Sequence, residues 1–277
     1  MEKIRRNERM SAMIEILSAN PNKMYTLSYF CQLFGAAKST MSEDVAMLEK
    51  VVETYGLGKI ETIAGAAGGV RFRSCLSKEQ ALTFVEELSD KLRDKERVLP
   101  GGFLYLSDIL STPEIVEKMG IILAQTYYDK EIDFVLTMET KGIPVALMTA
   151  RALGVPLVIA RRSSKVYEGS AVNINYVSGS SNRIETMSLA RRAIQPGERT
   201  LIVDDFLKAG GTAKGMVELM KEFEVDVVGL AFVISTAEPK EKRIHSQRSL
   251  MVLESIEKEG DAPMVHPSDW IKESDYE

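Results

Sequence analysis

The residues with the clearest chemical potential lie in one run between positions 201 and 212. The apolar residues Leu201 to Val203 precede Asp204 and Asp205, and Gly210, Gly211 and Thr212 follow after four intervening positions. This order predicts a buried strand that ends in two carboxylates, followed by a small-residue loop that opens a helix. In open α/β sheets, ligands bind at the carboxyl ends of such strands.

The two halves of this run favour different parts of one ligand. The backbone N–H groups of the loop and of the helix N-terminus favour a phosphate. The carboxylates of Asp204 and Asp205 do not, but they can accept hydrogen bonds from adjacent sugar hydroxyls. A phosphate and a diol held a few ångströms apart describe a ribose 5-phosphate. The alternative is a chance strand–turn–helix with capping acids.

This run resembles the phosphoribosyl pyrophosphate (PRPP) motif of type I phosphoribosyltransferases: an apolar strand, two acids, four variable positions and Gly-Gly-Thr. The resemblance implies a PRPP site formed by Asp204, Asp205, Phe206, Lys208, Ala209, Gly210, Gly211 and Thr212. A second segment, Glu139-Thr140-Lys141-Gly142, follows a predicted strand and matches that family's pyrophosphate loop. The alternative for Glu139 and Lys141 is a solvated pair of loop charges.

Further ligand contacts are expected after the next strand. Residues 153–162, which end in Arg161 and Arg162, resemble the helix-to-strand passage of adenine and xanthine phosphoribosyltransferases. The resemblance makes residues 163–185 a hood over the site, with Arg161, Lys165 and Tyr167 as candidate contacts. An ordinary surface position remains the alternative for the two arginines.

Three positions depart from the catalytic pattern of the family. Ala209 stands where many of the enzymes have Thr or Ser, whose hydroxyl binds the 5-phosphate. Lys208 adds a cation beside the phosphate, which favours anion binding but has no evident role in group transfer. Phe206 replaces a smaller aliphatic residue. These departures predict a binding site without catalytic residues.

The first 75 residues predict a separate α/β module. Apolar spacings indicate helices around residues 10–17 and 27–34, a third helix from Ser39 or Thr40, and a hairpin over 59–64 and 70–74. Thr40 and Glu43 have the spacing of a capping box. This is the order of a winged helix-turn-helix, whose third helix reads DNA. A dimerisation or packing module is the alternative.

Basic and short polar side chains of this module could contact DNA phosphates and base edges. The candidates are Lys3, Arg5, Arg6, Lys38, Ser39, Thr40, Ser42, Arg71 and Arg73. Residues 1–75 carry ten Lys and Arg against eight Asp and Glu, a net charge of +2. The remainder is therefore −7, given the total of −5 for the 277 residues. A lobe of +2 attracts DNA weakly, so two copies are expected to act together.

From residue 76 onward, short apolar strands alternate with helices. This pattern predicts a parallel α/β sheet covered on both faces, with a polar, irregular span over residues 161–194. The predicted domains are therefore a winged helix over 1–75 and a phosphoribosyltransferase-like effector-binding and dimerisation domain over 76–277. Two cysteines, two histidines and no long apolar run predict a reduced, cytoplasmic protein without a disulfide framework, a metal site or a membrane partner.

The combination resembles the purine operon repressors of Gram-positive bacteria over essentially the full chain. The resemblance implies a homodimer that represses purine synthesis and transport genes at operator DNA and lacks transferase activity. It implies that PRPP is the effector that weakens DNA binding, with magnesium as a candidate companion of the ligand. Guanosine tetraphosphate is a candidate competing ligand, with its base stacked on Phe103 or Phe206.

Two other functions remain open from the sequence. One is a catalytically active purine phosphoribosyltransferase with an accessory winged helix. The other is an RNA-binding attenuator that uses the same ligand pocket.

Overall fold

The computed structural model describes residues 4–65, 68–100, 103–163, 169–178, 183–244, 246–254 and 262–273. The chain divides into two compact units. One unit contains residues 1–77 together with 151–154, and the other contains residues 78–150 and 155–277.

The N-terminal unit has the predicted winged-helix order. It consists of α1 (Arg6–Ala19), α2 (Leu27–Phe34), α3 (Lys38–Thr54) and the antiparallel strands β1 (Lys59–Ile63) and β2 (Gly69–Arg73). Its core is a single cluster around Met13, Leu17, Phe30 and Met41, all fully buried. Burial of each such side chain contributes about 1.5–3 kcal/mol.

The third helix begins slightly earlier than the sequence indicates. Its N-cap residue is Ala37, without a side-chain cap, and Lys38 is the first helical residue. The predicted capping box of Thr40 and Glu43 is therefore wrong, since Thr40 already lies in the first turn. Glu43 instead forms an ion pair with Arg6 at 2.7 Å.

Beyond residue 77 the chain alternates between helices and strands. In chain order these are α4 (Lys78–Leu92), β3 (Val98–Leu99), β4 (Phe103–Leu104), α5 (Ser107–Leu110), α6 (Pro113–Gln125), β5 (Phe134–Met138), α7 (Ile143–Leu153), β6 (Leu157–Ala160), β7 (Ala171–Val177), β8 (Ile184–Ala190), β9 (Arg199–Leu207), α8 (Gly211–Glu222), β10 (Asp226–Thr236), β11 (Gln247–Leu253), β12 (Val265–Pro267) and α9 (Asp269–Lys272).

A six-stranded sheet organises this unit, in the order β12-β11-β10-β9-β5-β6. The five strands from β11 to β6 pair in parallel, as predicted, and β12 adds an antiparallel edge. Phe134, Ile202, Phe232 and Met216 belong to one buried cluster that joins the sheet to α8. The apolar strands and helix faces of the sequence therefore account for this core.

The span predicted to be irregular contains a hairpin, so that expectation is wrong. β7 and β8 pair antiparallel from Ala171 opposite Ala190 to Val177 opposite Ile184. The period-two signal was present, because Val172 and Tyr176 are buried while the intervening Asn173 and Asn175 are exposed. The many polar residues of the span obscured this alternation.

Among the residues that the structure describes, no helix is both long and apolar enough to cross a bilayer.

Candidate functional site

A cleft of about 290 Å³ lies where β5 and β9 lead into their following loops. It is lined by segments from the two motifs that the sequence singled out, together with one arginine and one strand residue. The lining residues are Met138, Glu139, Thr140, Lys141, Arg162, Asp204, Asp205, Phe206, Leu207, Lys208, Ala209, Gly210, Gly211, Thr212, Ala213 and Phe232.

The cleft forms where strand β9 stops pairing with β5 but continues to pair with β10. Asp204 and Asp205 lie within this strand, not after its end as predicted, because β9 continues to Leu207. On one side Asp204 still pairs with Phe232 of β10. On the other side the pairing with β5 ends at Ile202. The acids therefore stand at a gap between two parallel strands, the usual ligand position in such sheets.

The two carboxyl groups are held in a poorly hydrated setting. Asp204 is buried, and its Oδ1 accepts the backbone N–H of Asp205 at 3.0 Å. Burial raises the pKa of Asp204 well above its ordinary value, and the neighbouring Asp205 charge raises it further. Burial also raises the pKa of Asp205, although the Asp204 hydrogen bond and the charge of Lys141 oppose this. Hydrogen-bond donors from a ligand would stabilise these carboxylates.

The loop after β9 provides the anion-binding half of the cleft. Gly210 adopts φ +79°, a left-handed conformation that glycine tolerates, and caps α8. The first N–H groups of α8 have no partner within the helix, and such groups favour an anion at the helix N-terminus. The Ala209 carbonyl accepts the Arg243 N–H at 3.0 Å, which braces the loop from behind. Lys208 is exposed at the rim.

The opposite wall is the loop after β5. Gly142 is required there, because a Cβ atom would lie 2.1 Å from Asp204 Oδ1 and 2.6 Å from Thr137 Oγ1. Glu139 Oε1 accepts the backbone N–H of Arg162 at 2.7 Å, and its Oε2 lies 3.6 Å from Arg161 Nη1. These contacts direct Glu139 toward the start of the hood segment and leave Lys141 beside the acids.

The structure brings most of the sequence-predicted residues together. The exceptions within the described chain are Gly142, which borders the cleft at Asp204, Arg161, which contacts Glu139, and Phe103, whose side chain is 58% exposed on β4 and does not line the cleft. Lys165 and Tyr167 lie outside the described residues.

Five residues that line the cleft were not assigned from the sequence: Met138, Arg162, Leu207, Ala213 and Phe232. Arg162, rather than Arg161, lines the cleft. Its guanidinium contacts Glu185, whose Oε2 also accepts a hydrogen bond from the Tyr176 hydroxyl at 2.9 Å. The alternation of β7 and β8 would have placed Tyr176 and Glu185 on a strand pair, but only the tertiary structure shows that Glu185 contacts a cleft-lining arginine.

In the N-terminal unit, the start of α3 presents several of the predicted DNA contacts to solvent. Lys38, Ser39 and Ser42 are exposed, and Thr40 is half-buried. Arg5 is the N-cap of α1, and Arg6 follows it with its guanidinium on Glu43 and Asp44. The predicted contact by Lys3 lies outside the described residues.

The two arginines on β2, Arg71 and Arg73, form ion pairs with a carboxylate of the same unit. Glu61 on β1 forms ion pairs at 2.8 Å with both Arg71 and Arg73 on β2. Arg73 is buried, and it also donates to Asn22 at 3.4 Å. This burial argues against the predicted phosphate contact by Arg73. The Arg71 side chain is about one-fifth exposed.

Over the residues that the structure covers, no group of three or more His, Cys, Asp or Glu side chains could hold a metal ion.

Comparison with solved structures and family models agrees with this architecture. The chain is similar to adenine phosphoribosyltransferase from Thermoanaerobacter pseudethanolicus, with a TM-score of 0.51 and 19% identity over 59% of this chain and 98% of that one. This likeness concerns the fold. The family model described as bacterial purine repressor, N-terminal, matches residues 5–74. The phosphoribosyl transferase domain model matches residues 106–264.

Two curated relatives are similar along nearly the whole chain. The purine biosynthesis transcriptional repressor PurR of Bacillus subtilis (strain 168) is 42% identical over 254 residues, which cover 92% of this chain and 89% of that protein. The purine biosynthesis transcriptional activator PurR of Lactococcus lactis subsp. lactis is 41% identical over 254 residues, 92% of this chain and 94% of that protein. Because the similarity spans the winged helix, the two acids and the loop after them, this chain belongs to the family of PurR-type transcriptional regulators of purine biosynthesis.

Proposed function

We propose that this protein is a cytoplasmic transcriptional repressor of purine biosynthesis and transport genes that binds operator DNA as a homodimer and releases it when PRPP fills the cleft. The observation that carries the proposal is the joining, in one chain, of a purine-repressor winged helix and a cleft suited to a phosphorylated ribose. The relatives named above are similar over 92% of this chain, and one is named a repressor and the other an activator.

The geometry of the cleft supports PRPP as the effector class. The loop at Lys208–Thr212 would take the 5-phosphate, and Asp204 and Asp205 would accept the ribose hydroxyls. The pyrophosphate would lie toward Lys141 and Arg162. Arginine and lysine suit that charge, because Arg binds phosphate oxygens in pairs and Lys acts as a point charge.

Magnesium belongs to this proposal as a companion of the ligand. Mg²⁺ is commonly bound by one or two carboxylates together with the phosphates of a substrate. Asp204 and Asp205 fit that role, and a dication would also offset the cost of their burial. Guanosine tetraphosphate would compete for the same phosphate-binding loop, with Phe206 at the cleft as the candidate stacking residue.

The second candidate is an active purine phosphoribosyltransferase, which the family match over residues 106–264 favours. Against it stands Ala209, which offers no hydroxyl to the 5-phosphate. The purified protein should therefore consume no PRPP when offered adenine, guanine, hypoxanthine or xanthine. Turnover at an ordinary enzyme rate, about 1–10³ per second, would establish the enzyme instead.

A gel-shift comparison tests the remaining parts of the proposal. Duplex DNA from upstream of a purine gene should be retained at lower protein concentration than the corresponding RNA. Stronger retention of RNA would favour an attenuator. In a reporter strain, deletion of the gene should raise purine gene expression, and a fall would identify an activator like that of Lactococcus.

A further inference from the structure

Glu185 on β8 is a carboxylate shared by two donors from different segments. The Tyr176 hydroxyl donates to its Oε2 at 2.9 Å, and the Arg162 guanidinium donates to the same oxygen. The Glu185 side chain is only 26% exposed, so water competes weakly for these hydrogen bonds. The hairpin of β7 and β8 therefore carries an anion that binds a cation of the cleft.

Arg162 is the cation on which this contact acts. Its backbone N–H is fixed by Glu139 Oε1 at 2.7 Å, while its side chain lines the cleft and is 58% exposed. A guanidinium in this position can bind phosphate oxygens through paired N–H groups. It can offer the same N–H groups to Glu185, however, and in this structure it does so.

Tyr176 keeps the carboxylate in place. Its ring packs against α8 so closely that a Cβ on Gly215 would lie 3.0 Å from the ring. Burial raises the pKa of its hydroxyl to about 12, so this group remains a donor at neutral pH. Glu185 is thus held, through Tyr176, against α8, the helix that follows the loop proposed for the 5-phosphate.

We infer that Glu185 is an internal competitor of the anionic effector: Glu185 and the ligand's pyrophosphate compete for the guanidinium of Arg162. This inference rests on the proposed function, because it assigns the affinity of that same cleft. The ligand must displace Glu185 from Arg162, and no covalent step is involved. The affinity of the site for the anion is therefore lower than it would be without Glu185. This competition also makes the contact between Arg162 and the hairpin depend on occupancy.

The test is a double-mutant cycle on the full chain, read by calorimetric titration with magnesium PRPP and, separately, with inorganic pyrophosphate. Glu185→Gln keeps the size of the side chain and removes its charge. It should tighten binding of both ligands about two- to fivefold, the range for a partly exposed ion pair. Arg162→Gln should weaken binding. In the Arg162→Gln background, Glu185→Gln should change the affinity less than twofold.

The control is Glu131→Gln. Glu131 precedes β5, its side chain is 92% exposed, and it pairs with Arg199. The variant should leave both affinities unchanged. Weaker or unchanged binding by Glu185→Gln would overturn the inference, as would equal tightening with and without Arg162, which indicates a general charge effect. If Glu185→Gln does not fold, tighter or unchanged binding by Arg162→Gln overturns it. Failure of the unaltered protein to bind PRPP would refute the proposed function, and the pyrophosphate titrations would still test the competition.

Discussion

At the scale of single residues, the cleft places charged groups where folding alone would not favour them. Asp204 is 7% exposed, its immediate neighbour Asp205 carries a second carboxylate, and Gly142 leaves room for nothing larger than hydrogen beside them. Thr137 Oγ1 is buried without a hydrogen-bond partner at the same place. Polar groups buried in this manner cost stability unless a partner arrives. The site therefore suits a ligand with several hydroxyl donors.

The first prediction concerns the cost of the buried Asp204. Because its pKa is raised in the folded protein, its ionisation lowers stability as pH rises from the unfolded-state pKa toward the folded-state pKa. Asp204→Asn removes that penalty while its Oδ1 still accepts the Asp205 N–H. Without ligand, we expect a higher melting temperature for the variant, by roughly 2–4 °C for each kcal/mol regained, with a larger gain at pH 8 than at pH 5.

The control is Asp226→Asn, whose side chain is 72% exposed near Arg199. It should show no such gain. If Asp204→Asn has a lower melting temperature than the unaltered protein at neutral pH, the claim that the buried Asp204 carboxylate lowers stability is contradicted.

The second prediction concerns Lys208, the cation that the sequence singled out. Lys208→Ala should weaken PRPP binding about tenfold or more, since hydrogen bonds to charged groups contribute about 1.5–3 kcal/mol. Titration calorimetry measures this directly. Lys221→Ala, at the other end of α8 and 64% exposed, is the matched control and should leave the affinity unchanged. Superimposable titration curves for Lys208→Ala and the unaltered protein would exclude a phosphate contact.

At the scale of elements, one ion cluster ties α1 to α3 in the winged helix. Asp44 on α3 is fully buried and pairs at 2.8 Å with both Arg6 and Arg9 of α1. Arg9 also donates to the Ile4 carbonyl at 2.8 Å. The basic N-terminus that the sequence assigned to DNA thus also has a structural task.

The third prediction follows from this cluster. Asp44→Ala removes the carboxylate shared by Arg6 and the buried Arg9. It should lower the free energy of unfolding of the unit, measured in urea, by about 3–5 kcal/mol. Glu43→Ala, one position earlier and exposed, should cost less than about 1 kcal/mol. Equal, small losses for the two variants would show that the buried cluster contributes little.

The fourth prediction separates two residues that the sequence assigned to the same task. Lys38→Ala removes an exposed charge at the start of α3, so DNA affinity should fall for all sequences and the salt slope should decrease by about one. Arg73→Ala breaks a buried pair with Glu61, so it should lower the melting temperature instead. The result that would reverse this assignment is a stable Arg73→Ala protein with the reduced salt slope.

The elements differ in how far the sequence could predict them. Helical spacing and the Gly-tipped hairpin predict the winged helix, and apolar strands ending near acids predict the parallel sheet. The β7–β8 hairpin was missed because its polar residues hide a period of two. The sequence predicts too early an end for strand β9, because the last residues of this strand are defined by pairing with β10. Arg162 could not be told from Arg161, since only the course of the chain after β6 decides which side chain enters the cleft.

At the scale of the whole molecule, the central claim is linkage between a cleft in one unit and DNA bound by the other. If PRPP lowers DNA affinity tenfold, DNA must lower PRPP affinity tenfold, a coupling of about 1.4 kcal/mol. The net charge of −7 beyond residue 75 gives no broad attractive field for an anionic ligand, so local groups such as Lys141, Arg162 and Lys208 must recruit it.

The most direct test is a titration of operator affinity against PRPP with magnesium at fixed salt, for the unaltered protein and for Asp205→Ala. We expect PRPP to weaken DNA binding by the unaltered protein, and Asp205→Ala to bind DNA equally well without responding to PRPP. An operator affinity that PRPP leaves unchanged in the unaltered protein, or a folded Asp205→Ala variant that no longer binds DNA, would contradict the account.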